Sequence, residues 1–517
     1  MGEHTRIKLF GIAASVALMA SGLAVGTAFP AAAAGCSSGV PGDVNGDRHA
    51  EVAVNDTRGG GAVHILYGRS TGLVTDAAGR ARDDQRITQD SPGVPGSGER
   101  EDRFGDVTAF GDFNDDGCAD LAVSSPGENE VGSVNVIYGS PTGLSSSGVQ
   151  VFSGAMFGPD PNGPTFGSAL AVGDLDDDGT DDLAIGASGL DVAGASAAGG
   201  VAVLYGDADG LDRGDPAVLI SRATANVPGT PAEDAFFGAQ LASGDFDGDG
   251  LAELVISTPG EGNGTVQTLE LGAAGVGTGQ PVPFTAGDVG VPKSTTGEDR
   301  FGTALTAGDV NADSRDDLVV GIPDWNCLEC DEFFGSGGVV LVRGSAAGLS
   351  GDGAQFWTQN SPGVAGVARA EDAFGYAVAI GPLDDDGYAD LAVGTPQDTE
   401  FSGSVTLLRG SATGLTTSGF GGRYIDQGTA GIAGAVETGD FFGGTLTTSF
   451  IQSANQANLV IAAEGETIGG KLATGQIHQL AIGDAGPKAS GSRTFHLDSP
   501  GLKGTPADNA RFGRSLS

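Results

Sequence analysis

An acidic segment built to one plan occurs six times in this chain, and that recurrence restricts the fold more than any other feature. The third copy reads GDLDDDGTDDLAIG, from Gly173 to Gly186. The others are GDVNGDRHAEVAV from Gly42, GDFNDDGCADLAV from Gly111, GDFDGDGLAELVI from Gly244, GDVNADSRDDLVV from Gly308 and GPLDDDGYADLAV from Gly381. A seventh, SFIQSANQANLVI from Ser449, keeps the apolar end and has no carboxylate. The loops start at 43, 112, 174, 245, 309, 382 and 450, a period of 62 to 73 residues. Self-similarity at a nearly fixed period marks a chain made of repeated supersecondary units.

Each copy is embedded in β-type sequence. A Phe-Gly pair stands eight residues before six of the loops, at Phe104, Phe166, Phe237, Phe301, Phe374 and Phe442. Downstream, VNVIYGSPTGL, VAVLYGDADGL, VVLVRGSAAGL and VTLLRGSATGL alternate β-branched residues and end in Gly-rich turns. Period-two alternation bounded by turns argues for strands. Segments such as QFWTQNSPGVAG and TFHLDSPGLKG add a strand before the next Phe-Gly, giving about four per unit. One such sheet cannot cover both its faces, so the units must pack on one another. The expected fold is all-β: a seven-bladed β-propeller of four-stranded antiparallel blades, with a linear solenoid as the alternative. Each Phe should wedge between blades while its Gly lets backbones approach.

The final residues bear on closure. ARFGRSLS, Ala510 to Ser517, contains a seventh Phe-Gly at Phe512, 70 residues after Phe442. The loop at Asp43 has none of its own, because Gly35 and Cys36 occupy that slot. FGRSLS joined to PGDVNGD from Pro41 rebuilds one full motif, so the N- and C-terminal segments should pair and hide an open edge. Residues 35–40 and 512–517 compete for that register, and the sequence leaves the winner open.

Within the intact loops, oxygen-bearing side chains fall at positions 1, 3, 5 and 9, usually with Gly at 6. The sets are Asp43, Asn45, Asp47 and Glu51; Asp112, Asn114, Asp116 and Asp120; Asp174, Asp176, Asp178 and Asp182. They continue as Asp245, Asp247, Asp249 and Glu253, then Asp309, Asn311, Asp313 and Asp317. Alternate side chains of a tight loop converge, and the carbonyl at position 7 can join them. Hard oxygen donors without His or Cys suit Ca²⁺ better than zinc or copper, and Mg²⁺ prefers to keep its waters. The expectation is about five Ca²⁺ sites. The sixth loop begins with Pro382, leaves Asp384, Asp386 and Asp390, and makes a weak site; the seventh should be empty. An EF-hand is excluded, since position 12 of the third copy is Ile185 and strands flank the loop.

Phe-Gly, eight residues, DxDxDGxxDL and a following β run together resemble the FG-GAP repeat, the family of the integrin α-subunit propeller. The resemblance covers essentially the whole chain after its leader. It implies a seven-bladed propeller with Ca²⁺ in loops on the lower face and ligand recognition on another surface, often the top. Members serve in adhesion, ligand binding or as scaffolds appended to enzymes. In this chain the metal loops sit in the early blades and no leg domain or membrane segment follows, so integrin-type heterodimers are not implied.

The remaining features set the context. Residues 1–34 read as a signal peptide: Arg6 and Lys8, an apolar run from Leu9, then AFPAAAAGC with cleavage near Ala34. Residues 35–517 then form one propeller, secreted or extracellular; AAGC before Cys36 also faintly resembles a lipoprotein acceptor. With 67 acidic and 25 basic residues the net charge is −42, which repels phosphate backbones and excludes nucleic acid as a partner. Cys327–Cys330 is expected as a local disulfide and Cys36–Cys118 as a long-range one. The chain is expected to be a monomer that binds an extracellular protein or glycan. Enzymatic readings are weaker: GRSTG at Gly68–Gly72 matches the GxSxG nucleophile pattern, but GSPTG and GSATG show it to be a repeated hairpin turn. An acidic pair for glycoside hydrolysis stays open, as does a purely structural envelope role. RGD at Arg213–Asp215 and the aromatic Trp325, Phe333 and Phe334 are candidate contacts, the latter alternatively packed within their loop.

Overall fold

The last residues of the chain complete its first sheet. In the computed structural model, residues 513–517 run antiparallel to the strand Val52–Asp56. Ala53 and Ser517 exchange both backbone hydrogen bonds, at 3.1 and 3.2 Å, and Leu516 bridges Val54. The C-terminal segment therefore takes the contested register. The N-terminal one steps aside, with Cys36 disulfide-bonded to Cys118 of the second loop. Described are residues 36 and 39–517, except 76–83, 159, 161, 162, 164, 213–216, 273, 274, 279, 280, 282, 294–298, 327–334 and 484. The Cys327–Cys330 pair, the RGD triplet and Phe333 and Phe334 lie outside the described residues.

Blade two shows the plan. Its strands Thr108–Gly111, Asp120–Ser125, Ser133–Ile137 and Gln150–Ser153 pair in sequence order, all antiparallel. Seven such blades form a ring, so the all-β propeller expectation holds. In blade four a single bridge, Val266 to Phe284, stands for the fourth strand. The only α-helical turn among the described residues is Asp398–Phe401, and no helix there is long and apolar enough to cross a membrane.

Apolar residues gather between blades. Among the described residues there are seven buried clusters, and each joins two neighbours; one packs Val52, Val54 and Leu66 of blade one on Val460, Ile477 and Phe512. All seven Phe of the Phe-Gly pairs are at most 1% exposed, as a wedge must be. Trp325 is also core: it packs edge-on to Phe356 and donates its indole N–H to Pro292 at 3.0 Å, so it is no contact residue.

Two belts of backbone hydrogen bonds then set the blade spacing. At the Phe-Gly end, every wedge Phe donates its N–H to the carbonyl just before the third strand of the preceding blade. The acceptors of Phe104, Phe166, Phe237, Phe301, Phe374, Phe442 and Phe512 are Gly60, Val131, Ala198, Asn263, Ser336, Ser402 and Thr474, at 2.8–3.3 Å. The residue after each acceptor is glycine, and necessarily so. A Cβ on Gly132 would sit 2.3 Å from the Phe166 carbonyl oxygen, and one on Gly475 equally close to that of Phe512. At the other end, position 8 of every acidic loop donates to the position-1 carbonyl of the loop before it. Ala119, Asp181, Ala252, Asp316, Ala389 and Ala457 bond Asp43, Asp112, Asp174, Asp245, Asp309 and Pro382, and Ala50 closes the circle on Phe450, at 2.8–3.2 Å.

Phe512→Ala should cost about 3–5 kcal/mol, as for large buried aromatics generally, and removal of residues 511–517 more. Denaturant unfolding checks this; a deletion with an unchanged midpoint would refute the clasp. His478 supplies a pH test. Fully buried edge-on to Phe442, it is held neutral by desolvation, with its pKa lowered to about 3. The unfolded chain takes up a proton near pH 6.5 that the folded one refuses, so stability falls as pH drops through that value. Blade four carries Gln267 at the equivalent position, and His478→Gln should be less acid-sensitive than wild type by about 2 kcal/mol at pH 5. Parallel urea curves at pH 5 and 7 read the difference.

Candidate metal centres

The acidic loops join the first and second strands of each blade, at the end away from the wedge Phe. Position 1 organises the loop. Asp174 accepts the N–H groups of Asp177 and Asp178 on Oδ1, at 2.8 and 3.2 Å, and that of Gly179 on Oδ2 at 2.9 Å. Asp43, Asp112, Asp245 and Asp309 hold the amides four and five residues on in the same way. Position 5 turns the chain out: Asp47, Asp116, Asp178, Asp249, Asp313 and Asp386 each accept the N–H two residues later.

Position 9 is buried. Asp120, Asp182, Asp317 and Asp390 are 0% exposed, Glu51 1% and Glu253 8%. Asp182 accepts Leu175 N–H on one oxygen and Gly206 N–H on the other, at 2.7 and 2.8 Å, tying its loop to the following hairpin. Asp120 and Asp390 repeat both bonds. Burial, with repulsion from the neighbouring loop carboxylates, pushes Asp182, Glu253 and Asp390 up to about 7. Asp317 rises to about 6, and Glu51 and Asp120 stand well above their usual range.

Convergence is tightest in the middle of the chain. Asp245, Asp247, Asp249 and Glu253 each bring a carboxylate oxygen within 4.8 Å of the others, and Asp174, Asp176 and Asp182 do the same, without Asp178. Elsewhere an amide relieves the charge. Asn45 donates to Glu51 at 2.9 Å and Asn311 to Asp317 at 3.4 Å, while the Asn114 oxygen accepts Asp116 N–H at 3.0 Å.

The sixth loop differs in kind. Arg409, from the end of the blade's third strand, reaches Asp384 at 2.8 Å and Asp386 at 2.7 Å. A guanidinium thus stands among these carboxylates, where Pro382 has removed the first one. In the seventh loop amides suffice: Asn458 bonds Gln452 and the Leu480 carbonyl, and Gln456 the carbonyls of Leu383 and Gly483. Sequence reasoning missed Arg409: the same hairpin position is Tyr in blades one to three but Arg343 in blade five, so residue type there did not single it out. It also missed loop position 2, the fully buried anchor formed by Val44, Phe113, Leu175, Phe246, Val310, Leu383 and Ile451.

Comparison with known sequences decides the family. The FG-GAP repeat matches at residues 104–138, 166–204, 237–269, 301–342 and 374–408. This is an FG-GAP repeat propeller of the integrin-α kind. The matched stretches run from the wedge Phe into the third strand of blades two to six. Blade one, split between the two ends of the sequence, and blade seven, without carboxylates, fall outside them.

Among relatives of this FG-GAP propeller, rat phosphatidylinositol-glycan-specific phospholipase D is 36% identical over 167 residues, 30% of this chain and 18% of that protein. Integrin alpha-PS5 of Drosophila melanogaster is 32% identical over 166 residues, 31% of this chain and 15% of the integrin. Mouse integrin alpha-8 is 29% identical over 202 residues, 38% and 17% of the two chains. The chain thus spans less than a fifth of the length of each.

Position 6 gives a test confined to the loop backbone. All six acidic loops are left-handed there, with φ of 71° at Arg48, 80° at Gly117, 89° at Gly179, 96° at Gly250, 66° at Ser314 and 88° at Gly387. Ser314→Gly should stabilise by about 1 kcal/mol and Gly179→Ala cost about as much, since a Cβ at 179 meets no atom and only φ is at issue. Chemical denaturation measures both; shifts of equal sign would contradict the backbone account.

Proposed function

We propose that the chain is a secreted, calcium-stabilised propeller that binds an extracellular protein or glycan through its loops, after removal of residues 1–34. Five Ca²⁺ ions sit in the loops of blades one to five, held by the ligand sets named from the sequence. The observation that carries this reading is the sixth loop. Where the carboxylate set is incomplete the chain supplies its own cation, Arg409, while among the described residues the five complete sets have no arginine ion pair to their ligands beyond the surface contact of Arg315 with Asp313 at 3.9 Å; Arg343, at the matching position of blade five, forms none. Clustered buried carboxylates are costly until neutralised, so a bound divalent cation contributes directly to folding.

A second reading, a hydrolase, draws support from the phospholipase D relatives. The paired acid and imidazole of this chain argue against it: His64 and Asp84 lie 3.1 Å apart with both side chains 0% exposed, beyond reach of a substrate. The GxSxG turn is a hairpin here too, closed by Gly72 N–H to the Arg69 carbonyl at 2.7 Å, as Gly143 closes on Ser140 and Gly414 on Ser411.

Millimolar Ca²⁺ should raise the thermal midpoint by several degrees, each ion adding about 2.7 kcal/mol at a hundredfold excess over its Kd. Calorimetry in Ca²⁺ and in chelator reads this, and coincident midpoints would sink the metal assignment. Arrays of glycans and matrix proteins, probed with and without Ca²⁺, should show binding that chelation abolishes. Silence on both arrays would overturn the ligand-binding role.

A further inference from the structure

A second set of carboxylates gathers at the opposite end of the blades. At the interface of blades one and two, Glu99, Asp102 and Glu128 bring one oxygen each within 4.8 Å of one another. At the interface of blades six and seven, Glu437, Asp440 and Glu466 do the same. The parts come from matching places. Asp102 and Asp440 stand two residues before the wedge Phe, and each accepts the N–H of the Glu three residues earlier, at 2.7 and 2.8 Å. Glu128 and Glu466 lie in the loop between the second and third strands. None of these six residues belongs to the acidic loops.

Both clusters contain an amide from the preceding blade. Gln89 and Gln427 follow the fourth strand, are 2% and 3% exposed, and point their Nε2 at Glu128 and Glu466. Their Oε1 atoms are buried without a hydrogen-bond partner. An amide can rotate to present either atom, so each glutamine can turn its unpartnered oxygen toward the three carboxylates. A buried acceptor without a partner is costly, and a cation would satisfy it.

Two further interfaces show what this position accommodates. Between blades five and six, Gln359, Asp372 and Asp398 repeat the amide and two of the acids, with the Gln359 Oε1 likewise bare. Arg369 stands where the others have Glu99 and Glu437, its N–H on Asp372 at 2.6 Å and its guanidinium on Asp398 at 3.2 Å. Between blades three and four, Arg222 replaces the glutamine and pairs with Glu261 at 2.7 Å, while Ala235 replaces the acid before the Phe. At these two interfaces, where an arginine enters the pocket, carboxylates are fewer than at the blade one–two and six–seven interfaces, where three acids converge beside a glutamine amide.

We infer that the blade one–two and blade six–seven interfaces each bind a divalent cation of the calcium class, held by Glu99, Asp102, Glu128 and Gln89, and by Glu437, Asp440, Glu466 and Gln427. All-oxygen donors with three carboxylates and one carbonyl are a hard-cation set, and the irregular span between two blades favours Ca²⁺ over the strict octahedron of Mg²⁺. Each ion rivets the fourth-strand end of one blade to the lead-in of the next. Both rivets flank the interface closed by residues 513–517.

The test counts Ca²⁺ bound to the full chain by equilibrium dialysis and elemental analysis. Glu437→Arg and Glu99→Arg copy Arg369 and should each release one ion, two in combination, while the fold keeps its circular dichroism. Arg369→Glu should gain one. Asp440→Asn is the milder second variant and should weaken its ion at least tenfold. Counts unmoved by Glu99→Arg, Glu437→Arg and Asp440→Asn would overturn the inference. The outcome is separable from that of the acidic loops: if those bind nothing, wild type holds two ions and the arginine variants still remove them.

Discussion

Everything in this molecule hangs on two closed circles of backbone hydrogen bonds, one at each end of the blades. Each circle has seven links, and each link joins a blade to its neighbour through main-chain atoms alone. A single bond of this kind contributes about 1 kcal/mol net. What the circles impose is distance, because seven blades must meet at one spacing for the last to reach the first. That spacing leaves no room for a side chain before the third strand, which is why glycine stands there in every blade. It also explains why the seventh loop could lose its carboxylates: Ala457 and Phe450 still make their backbone bonds, so the circle survives the loss of the acid chemistry.

Charge is the second organising quantity. A chain with a net charge of −42 cannot spread its acids thinly, and many are crowded at blade ends. The structure meets crowding in three ways. Amides replace one acid in the first, second and fifth loops; guanidinium groups enter the sixth loop and two of the opposite pockets; and the buried position-9 acids are held by backbone N–H groups. Arg409 and Arg369 act alike on opposite ends, each supplying a fixed positive charge where the local acid set is reduced or altered.

Much of the architecture was legible because it repeats. Phe-Gly, the acidic loop and the period of 62 to 73 residues were enough for blade number, strand count and the meeting of the two terminal segments at the first blade, but not for which of them fills its strand. The acidic loop positions were legible for the same reason, while the Cys36–Cys118 bond followed from pairing off four cysteines. What stayed hidden was relational. Among 92 glycines, those pressed against a wedge Phe carbonyl carry no distinguishing mark, since the requirement comes from a neighbouring blade. Arg409 and Arg369 sit far in sequence from parts of their acid sets, so no local pattern announces them. The aromatic cluster misled in one respect: Trp325 stands in an insertion, yet packing on Phe356 makes it core.

The clasp also fixes an order in time. Ser515 pairs with a strand whose Asn55 was made 460 residues earlier. At a synthesis rate of about 5–20 residues per second, that strand waits between about twenty and ninety seconds with its edge bare. Blades two to seven can form from contiguous sequence as they emerge, but the ring can shut only afterwards. An exposed strand edge held for so long is a site for wrong pairing with another copy. For such a chain, the ring closes most cleanly when the whole sequence is delivered before the first blade commits.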